Sequence, residues 1–157
     1  MATDRAGHPA RALAETLAPL CRLLRAEVLA AVRNPESNLA ALAVDWRHYL
    51  FPDADDAQFA DAYAQTLTYA LLLARWSGAA ELSTALATQT LRSRHGLLAE
   101  ALKILADEQA RTEIETPVNV LERVIGAVDP AALARKLPGG DPWLYFYEDF
   151  LAVYDPK

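Results

Sequence analysis

The chain has 157 residues, 53% of them hydrophobic and 23% charged, enough for one domain with a sizeable core and too apolar for a disordered coil. Acidic residues outnumber basic ones 21 to 15, a net charge of −6, which argues against strong nucleic-acid binding by this chain alone; one local patch can still be basic. No apolar run approaches the roughly 20 residues of a membrane span, and TYALLLARW (68–76) is interrupted by Arg75. The first residues, MATDRAGHPARALAET, carry neither a hydrophobic signal core nor the Arg-rich, acid-poor character of a transit peptide. Cys21 has no second cysteine to pair with, in keeping with a reducing cytoplasm.

Taken in order, the elements read as helices. Residues 1–8 look frayed, and from Pro9 to Arg33 an apolar stripe of Leu13, Leu17, Leu20, Leu24, Val28 and Ala31 predicts one long amphipathic helix. NPES (34–37) ends it, with Ser37 or Asn38 placed to cap the next helix. That second helix runs to about Leu50 and presents Leu39, Leu42 or Ala43, Trp46, and Tyr49 or Leu50 to the core. After FPDADD (51–56), a third helix spans about 56–76 and ends at Ser77-Gly78. Leu82 and Leu86 suggest a short helix within 79–96, weakened by Thr84, Thr88 and Thr90. Leu97, Ala101, Ile104 or Leu105 and Glu108 mark a helix reaching about Ala110, and Thr116-Pro117 starts another that carries Val120 or Leu121, Val124 and Val128. Asp129-Pro130 opens a short helix to Lys136, and Pro138-Gly139-Gly140 turns into a final one. No stretch alternates as a strand would. The expected fold is a single all-α domain over 1–157, an irregular bundle of about seven or eight helices.

The residues that carry chemistry in other proteins are not arranged for it here. His8, His48 and His95 are far apart and none belongs to a ligand-spaced pair. Cys21 lies on the apolar side of its helix, where a small core residue is the plain reading. The carboxylates of DADD (53–56) suit helix capping. No catalytic, cofactor-binding or metal-ligating residue is expected. RSRHG (92–96) is the most basic spot, and Arg92, Arg94 and His95 are candidate contacts to a DNA backbone beside the plainer reading of a solvated loop.

The last seventeen residues, DPWLYFYEDFLAVYDPK (141–157), hold the strongest signal. Asp141 is placed as N-cap and Pro142 as first helical residue. Trp143, Phe146, Phe150 and Val153 form one helical stripe, yet Tyr145, Tyr147, Glu148 and Tyr154 cannot all face one core, so the helix is expected to be buried on two sides. The phrase FYEDFLAVYDPK resembles the segment just before the methyltransferase domain of large single-chain bacterial restriction–modification proteins, the ISP-like and IIG-like adenine methyltransferases. FADAYAQTLTYALLLAR (59–75) looks like the helix that family carries upstream, and VNVLERVIGAVDPAALAR (118–135) and GGDP (139–142) fit its spacing. The resemblance covers roughly residues 10–157, and Lys157 falls where the family's first cofactor motif would begin.

The resemblance implies a spacer, 141–157 leading toward a methyltransferase domain that uses S-adenosylmethionine on the exocyclic amine of adenine. A flipped-base enzyme needs a Gly-rich turn after a strand and an Asn/Asp-Pro-Pro-aromatic loop. This chain has neither, since its Asp-Pro dipeptides at 129, 141 and 155 lack the second proline. The chain alone is therefore expected not to be an enzyme and to hold no cofactor. Its expected partners are its own methyltransferase domain and, through the parent protein, DNA, with no membrane. Gln65, Thr66, Trp143, Tyr145, Tyr147, Glu148 and Tyr154 are the candidate interdomain contacts. The alternative is a free-standing helical protein–protein interaction module, such as a small dimer joined through the aromatic helix.

Overall fold

A computed structural model describes residues 9–49, 51–76, 107–129 and 142–155. They form six helices: α1 (Pro9–Val32), α2 (Asn38–Tyr49), α3 (Asp56–Trp76), α4 (Glu108–Thr112), α5 (Glu115–Gly126) and α6 (Pro142–Tyr154). All-α is therefore the fold class of the described residues, which contain no strand. Six helices is fewer than the seven or eight expected; the short helices read over 79–96 and 130–136 lie outside the described residues.

α1 is the hub. Leu13, Leu17, Cys21, Leu24 and Val28 are buried along one stripe, and α6, α3, α5 and α2 all pack on it, the first two most extensively. Pro19 lies inside this helix and is tolerated because it sits on the exposed face, where the carbonyl its missing N–H leaves unbonded can reach water. α3 is buried on more sides. Phe59, Tyr63 and Leu67 face one way, while Ala70, Leu71, Leu72 and Ala74 close off nearly the whole circumference near its C-terminus.

The connections show why the helices start where they do. Ser37 Oγ accepts from the Ala40 N–H at 2.9 Å and donates to the Ala31 carbonyl at 2.6 Å, so one hydroxyl ends α1 and caps α2. Glu113 adds a second cap from far along the chain: the Asn38 and Leu39 N–H groups donate to its two carboxylate oxygens at 3.0 and 2.9 Å. At α3, Asp55 and Gln58 form a reciprocal capping box, each side chain accepting the other's backbone N–H at 2.7 and 2.8 Å.

Two boundaries differ from expectation. A helix carried through to Ala110 is not what the residues from 107 onward form. Asp107 has φ −52° and ψ 125°, outside helical geometry, and its side chain accepts from the Ala110 N–H to start α4 afresh. α5 begins at Glu115, two residues before Pro117, because a proline within the first turn removes only an N–H that has no intrahelical partner. Of the two residues that could end the α2 stripe, Tyr49 is 77% exposed and Leu50 lies outside the described residues.

Candidate functional site

Three helices meet where α6 docks. On α6, Phe146, Phe150 and Tyr154 are buried at successive four-residue steps, and the Phe150 and Tyr154 rings stack at 5.3 Å. Tyr69 of α3 meets Phe150 edge-on at 5.4 Å. Such ring pairs add to the apolar burial that dominates docking.

At the end of this aromatic stripe the contact turns polar. The Tyr154 hydroxyl donates to Asp61 Oδ1, an acid on α3. One turn on, Gln65 Nε2 donates to both Asp61 oxygens at 3.0 Å each. Arg25 of α1 stands 3.9 Å from Asp61 Oδ1, and its guanidinium lies 4.8 Å from the centre of the Tyr154 ring. The carboxylate thus accepts from two side chains while a cation sits beside it and over the ring. Arg25 and Asp61 both reach solvent, so their ion pair contributes little by itself; the hydrogen bonds set the geometry. Underneath, Thr68 Oγ1 donates to the Ala64 carbonyl at 2.8 Å, and Cys21 is fully buried.

The protonation states suit a lock better than a reaction. Burial, and next the hydrogen bond to Asp61, raises the Tyr154 hydroxyl well above the ordinary tyrosine range. Burial pushes the Cys21 thiol up to about 11, against a smaller opposing effect of the Thr68 hydrogen bond. Both groups stay protonated near neutrality, and a buried thiol is neither a nucleophile nor a ready ligand. Among the described residues, no three His, Cys, Asp or Glu side chains come together as a metal site.

Of the residues singled out in the sequence, Gln65 is half-buried and belongs to this cluster. Thr66 is half-buried beside it, and Glu148 is exposed on α6. Tyr154, a candidate interdomain contact, is 2% exposed and bonded inside the bundle. The fourfold repeat from Phe146 through Phe150 brings it onto the docking stripe. The side chains of Trp143, Tyr145 and Tyr147, and all of Arg92, Arg94 and His95, lie outside the described residues. Asp61 and Arg25 were missed. The available signal was the acid and amide at 61 and 65, one helical turn apart and bordering the apolar Ala60, Ala64 and Leu67.

Among the described residues there is no strand. Likewise, among the described residues no helix is long and apolar enough to cross a membrane. In comparisons with known proteins, no family model, no curated protein and no solved structure matches the chain.

Proposed function

We propose that this chain is the helical spacer of an adenine-specific DNA methyltransferase of a cytoplasmic bacterial restriction–modification system, a rigid mount for a catalytic domain carried elsewhere in the parent protein. The observation that carries the reading is how the phrase FYEDFLAVYDPK is used. Its Phe146, Phe150 and Tyr154 are buried in the bundle, and Tyr154 is tied to Asp61 across 93 residues of sequence. A helix held along its length on one face and at its far end transmits orientation, as a mount must. S-adenosylmethionine and the flipped adenine would belong to the catalytic domain, and no step of methyl transfer is assigned to residues of this chain. Arg92, Arg94 and His95 remain the proposed contacts to DNA in the parent protein.

The test is methylation by the protein of the full reading frame. With tritiated S-adenosylmethionine and duplex DNA it should label adenine, while the 157-residue chain should label nothing and bind no cofactor in a calorimeter. A frame that encodes no Gly-rich cofactor turn, or a stoichiometric cofactor site in this chain, would reject the spacer. The second reading, a free-standing interaction module, is favoured by one observation, the exposed Tyr49 and Phe51.

A further inference from the structure

Large exposed apolar side chains are unevenly spread over the described residues. Of Leu23, Val44, Tyr49 and Phe51, the last three fall within eight residues at the corner between α2 and α3, at 61, 77 and 55% exposure. On α2, Ala41, Val44, Asp45, His48 and Tyr49 are all exposed and, at 100° per residue, share one continuous arc. Phe51 lies against Trp46 at 4.9 Å, and Trp46 against the buried Phe59 at 5.3 Å, so the exposed ring is seated on the core. Two hollows border this corner. One of about 260 Å³ is lined by Val32, Pro35, Ala41 and Val44 among others. The other, about 280 Å³, lies among Phe51, Pro52, Asp53 and Ala54. Each has room for an aliphatic side chain.

Charge identifies the occupant. Asp45 of α2 and Asp53 and Asp55 of the segment after it are exposed at the corner, and Glu36 is exposed in the turn before α2. Arg33 is exposed in that same turn and His48 on α2, but Arg47 is ion-paired with Asp56. An acidic rim repels nucleic-acid phosphate and anionic lipid, and it would face its own like charge in a second copy. It attracts lysine and arginine, whose heads can also sit over the Tyr49 and Phe51 rings. We propose that this corner is a docking surface for a basic amphipathic helix of a protein partner. The partner's aliphatic side chains enter the two hollows, and its cations meet the carboxylate rim. The proposal is independent of the spacer reading, because none of its residues belongs to the lock on α6.

The probe is a fluorescein-labelled helical peptide of about 14 residues, four turns long, with leucines on one face and lysines on the other. A control has glutamate in place of lysine. Fluorescence anisotropy should show the lysine peptide binding and the glutamate peptide not. Tyr49→Ser with Phe51→Ser should weaken binding at least about tenfold, and Asp45→Asn with Asp53→Asn should flatten its salt dependence. Because Phe51 touches Trp46, Val44→Lys is a third variant that leaves the core alone; it should weaken binding similarly. Equal binding of both peptides, no binding of either, or wild-type affinity in the Val44→Lys chain would overturn the proposal. So would self-association, seen by sedimentation, that Val44→Lys abolishes, since the occupant would then be a second copy.

Discussion

Asp61 shows how one side chain can hold two helices to a third. It accepts from Gln65 on its own helix and from Tyr154 on α6, with Arg25 of α1 alongside. Tyr154→Phe keeps the buried ring and deletes only the hydroxyl, so urea melts should show a loss of about 1 kcal/mol, the size of a hydrogen bond to a partly solvated charged group. In an Asp61→Asn background the same change should cost less, which separates the bond from ring packing. Cys21 gives a pH signature. Its thiol ionises at about 11 in the folded chain against an ordinary 9.0, so the unfolded state loses its proton first. The contribution is intact below about pH 9 and declines as pH rises toward 11. Tyr63 and Tyr154, both raised by burial, continue the decline above the ordinary tyrosine range near 10. Cys21→Ala should remove the slope between pH 9 and 10 in stability measured across a pH series; an unchanged slope would assign it to other groups.

Among the elements, those with a long apolar repeat were legible in the sequence. The α1 stripe of Leu13, Leu17, Leu24 and Val28 and the α3 stripe of Phe59, Tyr63 and Leu67 are buried because several turns of periodicity leave one face to choose. Where the repeat is short, the face is ambiguous. Tyr49 is the last residue of α2, and Tyr49 and Leu50, three and four residues past Trp46, continue the stripe equally well. The break at Asp107 was illegible for the opposite reason: Leu97, Ala101 and Ile104 set a period that Glu108 does not contradict. What decides is a capping bond from Asp107 to the Ala110 N–H. The Asp61–Tyr154 and Glu113–Leu39 pairs span 93 and 74 residues, distances at which local pattern carries no information. Packing should outweigh capping in stability. Phe150→Ala, at a fully buried ring, should cost about 3–5 kcal/mol, and Glu113→Ala, which removes the second cap of α2 and leaves that of Ser37, about 1 kcal/mol. A larger loss for Glu113→Ala in the same denaturant series would mean that α2 depends on its cap more than on Leu39 and Ala43.

At the scale of the whole molecule, the net charge of −6 sets the behaviour toward DNA. The chain alone should bind duplex DNA no more tightly than about 10⁻⁴–10⁻⁶ M at physiological salt, without sequence preference. Anisotropy across a salt series checks this, and Arg92→Ala with Arg94→Ala should lower the salt slope by up to about two if those residues make the contact. A nanomolar, sequence-selective complex would mean that the chain reads bases itself. Resemblance, charge and the anchored α6 all bear on the central claim, which is mechanical: α6 is one rigid body with α1 and α3. Native-state hydrogen exchange tests it most directly. The amides of residues 150–154 should be protected to nearly the global stability of the bundle, and should lose that protection together with the α1 and α3 core when denaturant is added. Exchange of those amides at the rate of a fraying terminus, while α1 and α3 stay protected, would contradict the rigid mount.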